Sequence, residues 1–391
     1  MAIKINNIIV IDDGKNVDAG IVTATSFSGD GSGITDIAIG NINTTGIITA
    51  STLQATNSLN GPSGVSSDRP VGASSGSIRW NTEFNVLEIY DGTDWREVTL
   101  GATFLNSTNI PAVFGGGFES PIYQNTIDYI TIASESNATD FGDLTVGRRE
   151  LAACSSSTRG VFGGGYVAPA GYNTIDYITI ATTGDANYFG DLTVARYDLA
   201  ACSSSTRGVF GGGSIPTRNI LDYITIASQS NAIDFGDLTV ARSQLAACSS
   251  STRGVFGGGA TTNNTIDYIT ISSQSNATNF GDLTVGRREL AACSSSTRGV
   301  FGGGSPTTNT LDYITIATTG DATYFGDLTV SRFGLAACSS STRGVFGGGS
   351  PTRNTLDYIT IASQSNAIDF GDLTVGRTNL AACSNGHGGL S

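Results

Sequence analysis

Short hydrophobic runs, separated by turns rich in glycine and serine, follow one another from about residue 114 to the C-terminus. One stretch reads Leu151-Ala-Ala-Cys-Ser-Ser, Val161-Phe-Gly-Gly, Thr174-Ile-Asp-Tyr-Ile-Thr-Ile and Tyr188-Phe-Gly-Asp-Leu-Thr. Such runs, rich in β-branched and aromatic residues and bounded by turn residues, are typical of strands. The pattern predicts four short strands joined by turns, and it contains no helical periodicity.

This four-strand unit is repeated along the chain. Phe-Gly-Gly-Gly occurs six times at intervals of 45 to 48 residues, and Asp-Tyr-Ile-Thr-Ile, Phe-Gly-Asp-Leu-Thr-Val and Leu-Ala-Ala-Cys recur with it. Four strands in a repeat of this length are typical of a propeller blade. Because one such sheet cannot bury both of its faces, we expect the units to stack on one another and close into a ring.

The repeated segments also resemble a known family. Arg-x-x-Leu-Ala-Ala-Cys, then Val-Phe-Gly-Gly, then Ile-Asp-Tyr is similar to the kelch repeat of the galactose-oxidase-like propellers. The similarity covers all six units and departs from the family in the fourth strand, where Tyr-Phe or Asp-Phe replaces the usual Trp. The resemblance implies an all-β fold with a six-bladed kelch-like β-propeller over residues 102–391.

The two ends of the repeat region are expected to pair with each other. Residues 103–109 do not resemble the segment Leu-Ala-Ala-Cys-Ser-Ser-Ser, whereas a sixth Leu380-Ala-Ala-Cys383 follows the last unit. Pairing that late segment with the first unit would remove two exposed sheet edges. We therefore predict that residues 380–384 pair with residues 113–116 as the innermost strand of the first unit.

Three sets of repeated residues are candidates for chemistry. The cysteines have one equivalent position per unit, and we interpret them as small apolar residues, with a metal site as the alternative. The Phe-Gly-Asp segments are interpreted as turn and strand packing, with half of a calcium site as the alternative. The arginines after Leu-Thr-Val are expected to pair with carboxylates or carbonyls, with ligand binding as the alternative. These arginines are Arg148, Arg196, Arg242, Arg287, Arg332 and Arg377.

Composition narrows the classes of function. The only histidine is His387, so neither a histidine-assisted triad nor a multi-histidine metal site, such as the copper site of galactose oxidase, can be assembled. The net charge is −13 without a basic stripe, which disfavours nucleic acid as a partner. No apolar run reaches the roughly 18 residues that span a bilayer, and the N-terminus lacks the features of a signal peptide. We predict no enzyme activity, no catalytic residues, no cofactor, no metal and no membrane insertion.

The N-terminal hundred residues have a different pattern. Gly20-Ile-Val-Thr-Ala-Thr and Gly46-Ile-Ile-Thr-Ala-Ser repeat within residues 20–60, a segment too polar and too short to form its own core. It is expected to wind with identical copies as an oligomeric β-shaft, or else to be a flexible linker. Residues 61–101 predict a small three-stranded β-meander whose core contains both tryptophans of the chain.

These N-terminal segments resemble modules in fibre and other structural proteins of tailed bacteriophages, especially phages of marine cyanobacteria. The resemblance rests on residues 20–35, on Ser77-Ile-Arg-Trp-Asn-Thr and on Tyr90-Asp-Gly-Thr-Asp-Trp95. It implies a virion fibre or appendage, assembled in the bacterial cytoplasm, with an anchor at residues 1–19, the shaft, the meander and the propeller at its tip. Such fibres are generally trimers, so the implied partners are copies of this chain, other virion proteins bound through residues 1–60, and a host-surface glycan or protein.

Three other functions are alternatives to a receptor-binding fibre. A purely structural capsid or tail decoration protein would need no receptor. A cellular kelch adaptor would bring a partner domain with helical patterning, and a glycan-cleaving enzyme would need a catalytic group; neither feature is found in this sequence. The decoration protein is therefore the principal alternative.

The recognition surface is predicted where the six units differ. The second-to-third-strand loops and the pair of residues after each repeated arginine vary, and in a propeller they share one face, whereas the turn Ser-Ser-Ser-Thr-Arg-Gly on the opposite face is the same in five units. Loops on a rigid scaffold commonly carry recognition, and aromatic and arginine residues are enriched in binding hot spots. Neutral drift in exposed loops is the alternative. The candidate residues are Phe118, Tyr123, Arg149, Tyr166, Tyr172, Tyr197, Arg218, Arg288, Phe333 and Arg353.

Overall fold

The computed structural model describes residues 3–5, 8–11, 63–75, 77–83, 86–97, 111–260 and 263–390. Within these ranges the protein is all-β, and the two helical pieces, Ser66–Asp68 and Gly388–Leu390, are short 3-10 turns. Neither piece is long enough to cross a membrane. The chain divides into two compact units, Met1–Val98 and Thr99–Ser391. The predicted shaft at residues 20–60 and the predicted boundary at residue 101 lie outside the described residues and stay predictions.

The first unit contains a hairpin and a small four-stranded sheet. The hairpin pairs Ile3–Ile5 with Ile8–Ile11. The sheet has the order Ser63–Gly64, Ile78–Asn81, Val86–Tyr90, Trp95–Glu97, and its last three strands are the predicted meander. Ser63–Gly64 adds a parallel strand at one edge that the sequence pattern did not indicate.

The core of this small sheet differs from the expectation that both tryptophans fill it. Trp80 is 40% exposed, while Arg79, Asn81 and Glu88 on the other face are buried. The Glu88 carboxylate accepts a hydrogen bond from the Asn81 amide at 2.9 Å and lies 3.6 Å from the Arg79 guanidinium, so a polar network occupies the inner face. The prediction is therefore wrong for Trp80, whereas Trp95 is half-buried.

The second unit contains six four-stranded antiparallel sheets, which we number 1 to 6 along the chain. In sheets 2 to 6 the four strands follow one another in sequence, from a first strand to a fourth. The strands are Ala152–Ser155, Arg159–Gly163, Thr174–Thr179 and Asn187–Asp191 in sheet 2; Ala200–Ser203, Arg207–Gly211, Ile220–Thr225 and Ile233–Asp237 in sheet 3; Ala246–Ser249, Arg253–Gly257, Thr265–Thr270 and Thr278–Asp282 in sheet 4; Ala291–Ser294, Arg298–Gly302, Thr310–Thr315 and Thr323–Asp327 in sheet 5; Ala336–Ser339, Arg343–Gly347, Thr355–Thr360 and Ile368–Asp372 in sheet 6.

Sheet 1 is assembled from both ends of this unit. Its second to fourth strands are Pro111–Gly115, Thr126–Thr131 and Thr139–Asp143, and its first strand is the late segment Ala381–Ser384. That segment runs antiparallel to Pro111–Gly115, with Ala381 opposite Gly115 and Ser384 opposite Ala112. The predicted pairing of the two ends is confirmed.

Each sheet packs against the next, and the contacts close on themselves. The first strands contact one another in the order 1 to 6, and the first strand of sheet 6 contacts that of sheet 1. Six hydrophobic cores lie between consecutive sheets, including one between sheets 6 and 1. A serine at the end of each first strand donates its hydroxyl proton to the carbonyl of the preceding sheet's serine at 2.5 to 2.8 Å, and these bonds also form a closed cycle.

The glycines of Phe-Gly-Gly-Gly have a packing reason. Phe162 in sheet 2 is fully buried, and a Cβ added to Gly115 in sheet 1 would stand 2.7 Å from its ring. The first glycine therefore lets the aromatic ring of the next sheet lie directly on the backbone. Gly116 and Gly117 have φ angles of +68° and +109°, which turn the chain into the loop that follows.

The repeated arginines pair with carboxylates, as predicted. Arg148 in sheet 1 lies 2.8 Å from Asp176 in sheet 2, and both side chains are fully buried. The Arg148 guanidinium also donates to the carbonyl of Gly164. Because the partner is always the aspartate of Asp-Tyr-Ile-Thr in the next sheet, each pair links two sheets. The other pairs are Arg196–Asp222, Arg242–Asp267, Arg287–Asp312, Arg332–Asp357 and Arg377–Asp128.

Candidate functional site

The two variable segments of each repeat lie side by side at one end of the sheets. The residue after the repeated arginine forms a backbone bridge with the residue after Gly-Gly-Gly of the following sheet, for example Arg149 with Tyr166 and Tyr197 with Ser214. Phe118, Arg288 and Phe333 form equivalent bridges. The second-to-third-strand loops and the residues after the arginines therefore form one surface, as the sequence predicted.

Five of the predicted residues come together on this surface across sheets 1 and 2. We call them the aromatic cluster: Phe118, Tyr123, Arg149, Tyr166 and Tyr197. The ring centroids of consecutive aromatic residues in this order are 5.2, 6.4 and 5.0 Å apart. All five are half-buried. Short ribbons of paired strands, Phe118–Glu119 with Ile122–Tyr123 and Tyr166–Val167 with Ala170–Gly171, hold the first three rings in place.

Arg149 is the centre of the aromatic cluster. Its guanidinium carbon lies 4.8 Å from the ring centroid of Phe118, 5.8 Å from that of Tyr123 and 5.4 Å from that of Tyr166. A cation this close to an aromatic face is attracted by the ring quadrupole. Glu150 lies 3.2 Å from the guanidinium, so the charge of Arg149 is balanced locally.

The other predicted residues lie in equivalent loops but outside the aromatic cluster. Within the described part of the chain, no ring or cation–π contact joins Tyr172, Arg218, Arg288, Phe333 or Arg353 to it. Their loops have the same backbone frame, since the N–H groups of Tyr172, Arg218 and Arg353 each donate to a glycine carbonyl at 2.8 to 3.0 Å. The aromatic cluster therefore makes sheets 1 and 2 different from sheets 3 to 6.

The second residue after each repeated arginine belongs to a closed hexad, which lies beside the aromatic cluster and which the sequence did not indicate. Its backbone N–H groups donate to the carbonyls of the neighbouring members at 2.6 to 2.8 Å in one cycle. All six members have φ angles between +54° and +63°, a conformation that favours glycine and asparagine. The members of this inner hexad are Glu150, Asp198, Gln244, Glu289, Gly334 and Asn379.

The inner hexad concentrates carboxylates. Burial, together with the nearby Glu150 and Glu289, raises the pKa of Asp198 to about 8. Burial also raises the pKa of Glu150 and of Glu289 above their usual values. The pKa of Tyr197 is raised as well, first by burial and then by Asp198. This part of the surface is unfavourable for further negative charge.

A narrow central cavity is lined by the first strands of all six sheets and by His387. The lining consists of the alanine, cysteine and serine of each Leu-Ala-Ala-Cys-Ser segment. All six cysteines are free and buried, and burial raises the pKa of Cys248 and Cys383 to about 12, so they are protonated thiols at neutral pH. This agrees with their interpretation as small apolar residues.

The glycine-rich tail brings the only histidine to this cavity. His387 Nδ1 accepts a hydrogen bond from the Gly389 N–H at 3.0 Å, and Nε2 lies 3.1 Å from the carbonyl oxygen of Ser155. The ring is therefore neutral, with its proton on Nε2, and burial lowers its pKa to about 4. A Cβ on Gly388 would overlap the Ser295 carbonyl. Gly388 and Gly389, the two glycines that follow the histidine, are the sequence signal for this close packing.

The Phe-Gly-Asp segments make contacts between sheets. The N–H of Asp143 donates to the side chain of Asp185 in the next sheet at 3.0 Å, and that of Asp191 donates to Asn231 at 3.0 Å. This agrees with packing rather than a calcium site. In the part of the chain that the structure describes, no three histidine, cysteine, aspartate or glutamate side chains are grouped to hold a metal ion.

Comparison with known proteins leaves the family open. No protein-family model matches the chain. No curated protein matches it either. The candidate site therefore rests on the geometry of the aromatic cluster and the inner hexad.

Proposed function

We propose that this protein is a fibre or appendage protein of a phage virion, which attaches to the particle by its N-terminal residues and recognises the host surface with its six repeats. We further propose that the six sheets are the blades of one kelch-like β-propeller. The aromatic cluster is the observation that carries the recognition role. The work proposed is non-covalent, without a catalytic group or cofactor.

Three closed cycles support the propeller. The first-strand contacts, the serine hydrogen bonds and the hydrophobic cores each run through sheets 1 to 6 and return to sheet 1. Blades in such a ring hold their loops rigidly, because every sheet is packed on both sides. A rigid surface loses little conformational entropy when it binds a partner.

The arrangement of the aromatic cluster supports recognition by sheets 1 and 2. Tyr123, Tyr166 and Tyr197 form a connected row of half-buried rings, whereas the equivalent loops of sheets 3 to 6 have one aromatic residue, Phe333. Aromatic rings supply large contact areas at a low entropic cost, and tyrosine adds a polar hydroxyl. The proposed ligand is a glycan or protein of the host surface.

Adsorption of virions to host cells tests this role. Replacing Tyr123, Tyr166 and Tyr197 together by serine should lower adsorption at least tenfold with little change in melting temperature. Phe333→Ser is the matched control, because Phe333 has the same backbone position in sheet 5 as Tyr197 has in sheet 2 and lies outside the aromatic cluster. Unchanged adsorption by the assembled triple variant would refute recognition by this surface.

A decoration protein without a receptor is the second candidate, and one observation favours it. Arg149 already lies against three rings of the aromatic cluster and 3.2 Å from the Glu150 carboxylate, so its charge is balanced without a ligand. If decoration is the function, virions that lack the protein should adsorb normally but lose particle stability. Loss of adsorption by these virions would exclude it.

Attachment and assembly are proposed for the N-terminal residues. If residues 20–60 wind around their copies, the full-length protein should be a stable homo-oligomer, in our proposal a trimer, and a chain that begins at Gly101 should be a monomer. Light scattering at micromolar concentration distinguishes the two states. A full-length monomer would leave only the linker interpretation. Imaging the virion with this chain located on it would test its proposed location.

A further inference from the structure

Five of the six sheets contain the same stacked pair of side chains. An arginine at the start of the second strand places its guanidinium carbon over the ring of the tyrosine in the third strand of its own sheet. In sheet 2, for example, Arg159 lies 4.5 Å from the ring centroid of Tyr177. The distances for Arg207–Tyr223, Arg253–Tyr268, Arg298–Tyr313 and Arg343–Tyr358 are 4.3 to 4.4 Å.

The guanidinium of each pair also reaches the neighbouring sheet. Arg159 donates to the carbonyls of Ile226 and Ala227 in sheet 3, both at 3.0 Å. Arg298 and Arg343 donate to the same two carbonyl positions of their neighbours. A tyrosine ring and the carbonyls after the next sheet's third strand therefore form one guanidinium-binding socket.

Sheet 1 has this socket but not the arginine. Pro111 pairs with Thr131 in the register in which Arg159 pairs with Thr179. Tyr129 packs edge-on against Phe141 with centroids 6.1 Å apart, as Tyr177 packs against Phe189 at 6.0 Å. The tyrosine thus keeps the position that it has in the other sheets.

The carbonyls that complete the sixth socket are those of Ile180 and Ala181 in sheet 2, which correspond to Ile226 and Ala227. Among the described residues, no guanidinium lies over the Tyr129 ring, and no side chain donates to these two carbonyls. Sheet 1 has proline where the other sheets have arginine, so it lacks the guanidinium but keeps the tyrosine ring and the carbonyls that bind it.

We propose that Tyr129 and the carbonyls of Ile180 and Ala181 form a binding site for a guanidinium group, and that its ligand is an arginine side chain presented by a partner protein. The flat, delocalised cation of arginine can stack on the ring while its N–H groups donate to the two carbonyls. An ammonium group lacks this planar set of donors. The site is at the opposite end of the strands from the aromatic cluster, so it can be occupied while that surface is in use.

The probe for this site is N-acetyl-arginine amide, titrated into the full-length protein while the methyl resonance of Ile180 is followed by NMR. The expected result is a saturable shift with a dissociation constant in the millimolar range, because one stacked cation with two hydrogen bonds is a small interface. N-acetyl-lysine amide should bind at least fivefold more weakly. Tyr129→Leu should abolish the shift, and the matched Tyr177→Leu, in a sheet whose socket holds Arg159, should not.

A second variant tests the site without changing Tyr129, so its result does not depend on whether Tyr129→Leu disturbs the local fold. Pro111→Arg supplies the missing side chain from the chain itself, as in the other five sheets, and should both raise the melting temperature and abolish probe binding. Pro111→Ala should leave probe binding unchanged. Absence of a saturable shift in the unaltered protein, equal binding of the lysine probe, or probe binding that survives in Pro111→Arg would overturn the proposal.

Discussion

The Arg377 guanidinium lies 3.0 Å from the Asp128 carboxylate, so the last repeat is joined to the first by a fully buried ion pair. Removing one partner leaves an uncompensated buried charge, and we expect Asp128→Asn or Arg377→Met to lower the free energy of unfolding by about 3–5 kcal/mol. The double variant Asp128→Asn with Arg377→Met should lose less than the sum of the two single changes. Urea unfolding of the four proteins measures this coupling, and additive losses would contradict it.

Closure by the late strand can be tested by truncation. Deleting residues 380–391 removes the strand that pairs with Pro111–Gly115 and exposes the cores on both sides of sheet 1. We expect the loss of a single cooperative transition in calorimetry. Deleting only residues 385–391 keeps the strand and serves as the control, which should still unfold cooperatively. A cooperative melt of the larger deletion at an unchanged temperature would refute the closure argument.

The tail at the central cavity should respond to acid. The pKa of His387 falls from 6.5 to about 4 in the folded protein, so the released tail binds more protons between these values. The contribution of His387 to tail stability is therefore complete above about pH 6.5 and is lost as the pH falls towards 4. Amide hydrogen exchange at Gly389, corrected for intrinsic rates, should accelerate from pH 7 to pH 5. His387→Gln should remove this pH dependence, and its persistence in that variant would assign the effect to other groups.

Asp198 should affect stability with the opposite sign. Its pKa is raised from 3.8 to about 8, so the folded protein binds more protons than the unfolded chain in this range. The stability contributed by its protonated form is complete below about pH 3.8 and is lost as the pH rises towards 8. Asp198→Asn should therefore raise the free energy of unfolding by about 1–3 kcal/mol at pH 8.5 and change it little at pH 4.

A matched change makes the Asp198 prediction specific. Asn379 occupies an equivalent position in the inner hexad, so an amide fits the local backbone. Gln244→Glu adds a carboxylate to the same hexad and should lower stability at pH 8.5. Equal effects of Asp198→Asn at both pH values would show that the charge of Asp198 is not the cause.

Repetition made much of the fold predictable. Six copies of one strand pattern indicate the four strands of each sheet, and the unmatched Leu380-Ala-Ala-Cys383 indicates the closing pair. The arginines could be expected to find carboxylates because a buried guanidinium needs a counter-charge. That the carboxylate belongs to the next sheet, as in Arg148–Asp176, depends on how sheets stack, and no local pattern contains that information.

The candidate site was predictable only as a surface. The variable loops indicated which end of the sheets carries the surface, and the sequence placed both Tyr166 and Tyr172 on it. In the structure the rings that contact Tyr166 are those of Tyr123 and Tyr197, and Tyr172 is not among them. Side-chain direction in a loop depends on backbone angles that composition does not reveal. The same limit applies to Trp80, since the alternation Ile78-Arg-Trp-Asn81 does not say which of its two faces is covered.

The late first strand of sheet 1 has a consequence for synthesis on the ribosome. Until residues 381–384 have been made, the edge of Pro111–Gly115 that they cover has no partner from its own sheet, while sheets 2 to 6 already have all their strands. An open edge can pair with the equivalent segment of another nascent chain. Exchange between chains on neighbouring ribosomes of one message would give dimers, and slower translation between residues 116 and 381 would lengthen the interval in which this exchange can occur.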